Sequence, residues 1–323
     1  MTLLKAREVK AYYKVREGFV KAVDGVSVDL EENTILGIAG ESGCGKSTLA
    51  NVLMMNIKPP LRFIEGYIEI NGVVISKMNN KDFLKRKVWG KLVSLIPQSA
   101  LNALMPTMKI RDFIIDIVSH HEELDNSKIV SMAERRFKEL GLPTRVLNLY
   151  PHELSGGMRQ RVVIAIATLL NPRLLIADEI TSALDVSTQK QVLRMLIDLK
   201  RRGSVSSIIF VSHDIAVLRQ IADVIAVMYA GKIVELGPTE DIIFNPLHPY
   251  TQALINSIIT PEPEVKKRGL AFLPGEPPNL LNPPSGCRFH PRCPYATEKC
   301  KREEPQLSEV SPNHLVSCHL YKA

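Results

Sequence analysis

The chain of 323 residues predicts an α/β fold built on a parallel sheet and followed by a small irregular domain rich in cysteine. Three observations carry that expectation. Short apolar runs alternate with helical stretches between residues 34 and 230. A glycine-rich turn at 40–48 joins a strand-like run to a helix-like one. Four of the five cysteines fall within the last 37 residues, among prolines. A chain of this length can bury the core of one large domain or two moderate ones, and its 45% hydrophobic and 23% charged content is ordinary for a globular protein.

The elements follow in order. Residues 26–30 alternate at period two, the pattern of a half-buried strand. Residues 34–39 are a nearly continuous apolar run, as in a strand buried on both faces. A helix is expected over 46–56 and a strand over 92–96. Residues 107–148 then show helical spacing with interspersed charge and a break at Gly141 and Pro143, which predicts a helical subdomain, about 99–153, inserted into the α/β domain. Strands resume at 174–177, 207–211 and 224–228, separated by helical stretches such as 186–200, and this alternation implies parallel strands with crossover helices. The composition shifts after Gly237-Pro238. Prolines 274, 277, 278, 283 and 284 exclude long helices there. The domains expected are therefore 1–240 and an appended 241–323, with no internal repeat.

Some functional classes are excluded early. No apolar run approaches the roughly 18 residues of a membrane span; the longest, 162–170, lies between Arg161 and Asn171. Lys5, Arg7, Glu8 and Lys10 leave no room for a signal-peptide core, so an intracellular chain, soluble by itself, is expected. The net charge of +7 suits an anionic membrane surface or nucleic acid. Its cations are spread along the chain, with only short runs such as Lys85-Arg86-Lys87 and Lys266-Lys267-Arg268, so no nucleic-acid partner is expected. Cysteines crowded into a tail without a secretory signal point to metal before disulfide.

Gly40-Glu41-Ser42-Gly43-Cys44-Gly45-Lys46-Ser47-Thr48 satisfies the P-loop pattern between a strand and a helix. Its glycines let backbone N–H groups converge on phosphate oxygens at a helix N-terminus. Lys46 is expected on the β- and γ-phosphates and Ser47 on Mg²⁺. Cys44 fills a variable position as a small residue. Asp178, ending the apolar run from Leu174, is placed to be a second Mg²⁺ ligand, and Glu179 to polarise an attacking water. Leu154-Ser155-Gly156-Gly157-Met158 opens another helix with a serine and two glycines, a second anion-binding helix end that one subunit with its own P-loop does not need.

These motifs together resemble the nucleotide-binding subunit of an ABC transporter, with Leu154 to Met158 similar to that family's signature sequence. The resemblance implies a P-loop NTPase (RecA-like) core with an antiparallel β subdomain and an inserted helical subdomain. It implies an ATP hydrolase working as a head-to-tail dimer, in which each signature caps the γ-phosphate on the partner's P-loop. Gln98 then matches the Q-loop glutamine, near Mg²⁺ and the water. Ser182-Ala183-Leu184-Asp185 matches the D-loop; Asp185 also suits the cap of the following helix. His213 matches the switch histidine, and Tyr13, with Tyr12 as the alternative, the aromatic that stacks on adenine. Ile180 departs from the family, whose members usually have proline there; the change removes no chemical group.

The tail cysteines Cys287, Cys293, Cys300 and Cys318 are separated by five, six and seventeen residues. That spacing matches neither a zinc ribbon nor a simple ferredoxin, and alone says only a four-cysteine metal site. The segments 248–254, 273–278 and 286–294 are similar to the C-terminal extension of ATPases from oligopeptide and dipeptide importers. That resemblance implies a 4Fe–4S cluster on the four cysteines, with zinc, or free or disulfide-linked thiols, as alternatives. His290, His314 and His319 are read as solvent-exposed. The partners implied are a second ATPase subunit (a paralogue or another copy), two membrane permease subunits and an extracytoplasmic solute-binding protein, with the chain peripheral on the cytoplasmic face of the membrane. Peptides are the cargo implied, relatives of this kind also serving oligosaccharide and nickel uptake. The competing reading is a soluble ABC ATPase acting on nucleic acid or ribosomes.

Overall fold

A computed structural model describes residues 1–257 and 275–321, apart from Ser99 and Ala183. Strands β1 (Thr2–Val15) and β2 (Gly18–Glu31) form a long hairpin. β4 (Leu61–Ile70) lies on the other side of β1, and β5 (Val73–Val74) closes an antiparallel sheet in the order β2-β1-β4-β5. The second sheet is centred on β3 (Ile35–Ala39). It is flanked on one side by β8 (Ser207–Val211), β7 (Leu174–Asp178) and β6 (Val93–Ile96), and on the other by β9 (Val224–Tyr229), all parallel to β3.

The continuous apolar runs have a simple cause. Both faces of the parallel sheet are covered, so both side-chain sets are buried. Ile35 and Ala39 pack with the helical insert, whereas Leu36 and Ile38 pack against α1 (Lys46–Leu53) and the antiparallel sheet. Leu175 and Ala177 divide from Leu174 and Ile176 in the same way. Helix α1 ends at Leu53, three residues short of the expected end, two residues before Met55, which has φ +56°.

The insert consists of α3 (Ile110–Ser119) and α4 (Asn126–Glu139), following the short α2 (Asn80–Lys85). Ile110, Ile114 and Val118 meet Ile129, Ala133 and Phe137 in a core continuous with α5 (Gly156–Thr168). Helices α6 (Val186–Arg201) and α7 (Ile215–Ile221) complete the crossover layer.

The last third of the chain is bound to this body. β10 (Lys232–Pro238) runs back antiparallel to β9, and α8 (Thr239–Phe244) and α9 (Pro249–Asn256) follow. Beyond α10 (Glu298–Arg302), β12 (His314–Val316) pairs with β10 and β11 (Ser308–Ser311) with β12, so the sheet order is β11-β12-β10-β9-β3-β8-β7-β6. Tyr250 and Phe289 are buried in the main core. Proline forbids long helices here but not a two-strand extension of an open edge, nor aromatic anchors. The basic run at 266–268 and the start of the 273–278 segment lie outside the described residues.

Candidate functional site

The phosphate loop is wedged between two strands, β2 and β9. A Cβ on Gly45 would come within 2.0 Å of the Ala22 carbonyl oxygen, and one on Gly40 within 2.2 Å of that of Met228. Both residues also have positive φ, +108° and +146°, so both demand glycine. The loop borders a cleft of about 340 Å³ lined by Tyr13, Ser42, Gly43, Lys46, Ser47, Thr48, Gln98 and Glu179. Gly40, Glu41 and Cys44 are outside its described lining. Cys44 is buried beneath the loop, where loss of water pushes its thiol up.

Lys46 is 4% exposed. Its ammonium donates to the carbonyls of Gly40 at 2.9 Å and Glu41 at 3.0 Å and lies 3.8 Å from Glu179 Oε1. Ser47 Oγ donates to Asp178 Oδ1 at 2.9 Å. Burial pushes the Asp178 carboxyl up; the Ser47 bond opposes this and the Glu179 charge adds to it. A buried carboxylate beside a hydroxyl, with phosphate oxygens to come, is the donor set Mg²⁺ uses. Gln98 Nε2 donates to Glu179 Oε2 at 3.0 Å, and His213 Nδ1 stands 3.5 Å from that oxygen. Three chain segments thus converge on Glu179. Its φ is +47°, and its N–H is tied to the Val211 carbonyl at 3.0 Å. For a non-glycine residue that backbone costs about 1 kcal/mol or more, strain that concentrates at functional sites.

The two tyrosines differ in position. Tyr13 lines the cleft, its hydroxyl 3.1 Å from Thr48 Oγ1, whereas Tyr12 donates to Asp24 at 2.5 Å. Ser155 caps α5, its hydroxyl accepting from Met158 N at 3.3 Å, outside the described lining of the cleft. Gly156 and Gly157 have no described atom within 4 Å of an added Cβ, so this chain's own packing does not call for glycine there. Asp185 caps α6 by accepting from the N–H groups and hydroxyls of Ser187 and Thr188, and the Thr188 hydroxyl first among these holds its carboxyl well below the usual range. Ala183 of the same motif lies outside the described residues.

Some residues at the site were not anticipated. Gln160, 2% exposed, donates from α5 to the carbonyl of Ile180 at 2.5 Å, which joins the signature helix to the turn after Glu179. Tyr250 accepts from the Glu41 N–H, and Arg292 grips the Glu41 carboxylate. Arg288 pairs with Asp24. The arginines stand four apart in the cysteine segment, but their partners are 251 and 264 residues away, beyond the reach of any local pattern.

The four tail cysteines are free and partly buried. Burial pushes the Cys287 thiol up to about 11, with Cys300, Cys318 and Cys293 adding to the rise. Among the described residues, no three His, Cys, Asp or Glu side chains are arranged to hold a single metal ion. The histidine expectation is corrected at His314, which is 2% exposed because its Nε2 meets the fully buried Glu235 carboxylate at 2.8 Å. His290 and His319 are partly buried, with ring nitrogens on the carbonyls of Cys287 and Glu303.

Fold and site together define an ATP-binding cassette: a P-loop on a parallel sheet, an acidic pair at the end of β7 two strands away, and a glycine-opened helix leading out of a helical insert. Comparison with known proteins agrees. The family described as "ABC transporter" matches residues 23–182, and the "Oligopeptide/dipeptide transporter, C-terminal region" matches 234–300. The chain is 44% identical to the dipeptide transport ATP-binding protein DppD of Caldanaerobacter subterraneus subsp. tengcongensis, over 99% of this chain and 97% of that one. It is 38% identical to the oligopeptide transport ATP-binding protein OppF of Escherichia coli K12, over 98% and 95%. A dimeric ATP-binding cassette in a post-hydrolysis state, bound to ADP and Pi, superposes with a TM-score of 0.64 at 26% identity, covering 73% of this chain and 99% of that one. The chain belongs to the ABC transporter family, among the transport ATP-binding proteins with this C-terminal region, and is an ATP-hydrolysing enzyme. Among the described residues no helix is long and apolar enough to cross a membrane.

Proposed function

We propose that the chain is the subunit that hydrolyses ATP to drive uptake of dipeptides or oligopeptides. It works at the cytoplasmic face of the membrane with a second ATPase, two permease subunits and an extracytoplasmic solute-binding protein. The observation that carries the mechanism is the open helix end at Ser155, Gly156 and Gly157, whose glycines serve no packing among the described residues.

In this reading the backbone of residues 40–48 cradles the phosphates and Tyr13 stacks on adenine. Lys46 neutralises the β- and γ-phosphates. Ser47, Asp178 and Gln98 hold Mg²⁺, which supplies further neutralisation of phosphate charge. Glu179, oriented by Gln98 and His213, holds the attacking water and takes up its proton, while His213 contacts the γ-phosphate. Ser155, Gly156 and Gly157 close over the partner's γ-phosphate, and Asp185 lies at the same interface. Catalysis is mostly positioning and charge neutralisation, and a lone subunit, lacking half the shell, is nearly inactive. A cavity of about 290 Å³ between the insert and β6, lined by Trp89, Leu95, Leu104, Phe113, Ile117 and Leu170, receives a cytoplasmic loop of the permease.

The four cysteines hold a 4Fe–4S cluster, which staples a segment poor in apolar residues. Support comes from the matched C-terminal region, in which three of the four cysteines fall, and from the partial burial of all four thiols. Iron and sulfide in about 4:4 ratio in anaerobically purified protein are expected, and stoichiometric zinc without sulfide overturns the assignment. Peptide cargo is tested in vesicles holding the assembled transporter. Uptake of a labelled dipeptide or oligopeptide that requires ATP and is lost in Lys46→Ala supports the reading; uptake of oligosaccharide or nickel with no peptide uptake refutes it.

A further inference from the structure

Glu41, the second residue of the phosphate loop, is held from three directions. Its N–H donates to the hydroxyl of Tyr250 at 2.8 Å. Its carbonyl accepts from the Lys46 ammonium at 3.0 Å. Its carboxylate takes both ends of the Arg292 guanidinium, at 2.7 and 3.1 Å. Two of these three holders belong to the C-terminal region. Arg292 is 5% exposed at its side chain and is packed over the rings of Tyr229 and Phe289, at 5.8 and 6.0 Å from their centroids. Tyr250 is fully buried, 4.6 Å from Tyr229 between ring centroids. Both holders are therefore rigid. The tail reaches the nucleotide cleft a second time: Leu280 lines it, and its carbonyl accepts from Lys21 N at 2.9 Å.

A carboxylate within the loop that cradles the phosphates opposes an anionic ligand unless it is neutralised, and a bidentate arginine does so with fixed geometry. The peptide joining Gly40 and Glu41 is also the peptide whose flanking carbonyls hold Lys46. We propose that Arg292 is a positioning residue for ATP binding: it neutralises Glu41 and, with Tyr250, fixes the loop that presents Lys46, so the C-terminal region is a working part of the nucleotide site. It acts through Glu41 and not on the nucleotide itself, which separates it from a phosphate-contacting arginine.

The test is MgATP affinity of the full-length chain by calorimetry, with hydrolysis by the assembled transporter alongside. Arg292→Met is expected to weaken MgATP binding about tenfold, the effect of leaving the carboxylate of a half-buried pair uncompensated beside the phosphates. In hydrolysis KM should rise by a similar factor while kcat stays within about twofold. The decisive variant is Glu41→Gln combined with Arg292→Met, which removes the uncompensated charge and is expected to recover affinity to within about threefold of the parent. A double variant as weak as Arg292→Met, or an Arg292→Met protein whose affinity is unchanged, overturns the proposal. If Arg292→Met does not give folded protein, Tyr250→Phe keeps the ring and removes only the acceptor. An affinity loss of about threefold or more then supports the proposal, and unchanged affinity overturns it.

Discussion

Glu179 keeps its left-handed backbone because three side chains and one strand carbonyl use its position. The proposed role is checked by Glu179→Gln, which preserves shape and removes the base. MgATP binding should be retained and turnover should fall at least about 100-fold; unchanged turnover removes Glu179 from the role of base. Asp178 gives a second prediction. Its pKa is raised above the unfolded value by burial, so without Mg²⁺ the folded state binds protons more tightly there. The resulting stability is present at low pH and is lost as pH rises through the folded pKa. Asp178→Asn should therefore raise the Tm of the Mg²⁺-free protein at neutral pH by about 2 °C while abolishing hydrolysis. A lower Tm contradicts the account of the burial cost. Most of this site was legible in the sequence because its donors sit at fixed offsets inside three short motifs. The Glu41–Arg292 contact was not, since nothing near position 41 announces a partner 251 residues away.

Helix α9 shows at the scale of elements how the tail is fastened. His248 caps it, Nδ1 accepting from Tyr250 N at 3.0 Å, while its own N–H donates to Glu235, which also meets His314. Complete burial lowers the His248 pKa to about 3. A lowered histidine favours the folded state when neutral, so stability is full above the unfolded value near 6.5 and falls as pH drops toward the folded one, by about 1.4 kcal/mol per pH unit from this group. Tm should fall between pH 6.5 and 5. His248→Asn, which retains a capping acceptor, should flatten that limb; an unchanged slope assigns it to another group. The buried Arg288–Asp24 pair makes the matching prediction across the β2–tail contact, Arg288→Met lowering urea stability by about 3 kcal/mol. The parallel strands were legible because both faces of their sheet are buried. The strands 308–311 and 314–316 were hidden, being too short and too exposed at 308–311 to show a period.

For the whole molecule, the central claim is that the cleft beside Lys46 is half of a site. The chain's own residues account for Lys46, Ser47, Asp178 and Glu179, but not for glycines at 156 and 157 with open space around them. The need for a second subunit was legible in the sequence as a redundant phosphate-binding helix end. The attachment of the tail was not, because composition alone marks a boundary near 240 and cannot show that β12 continues the sheet across it. The measurement that tests the central claim most directly uses Ser155→Arg in the assembled transporter, with hydrolysis and this chain's own MgATP affinity measured together. Ser155 lies outside the described lining of its own cleft, so hydrolysis should fall at least about tenfold while the chain's affinity stays within about twofold. Unchanged hydrolysis, or an equal loss of the chain's own nucleotide binding, would contradict a site completed by its partner.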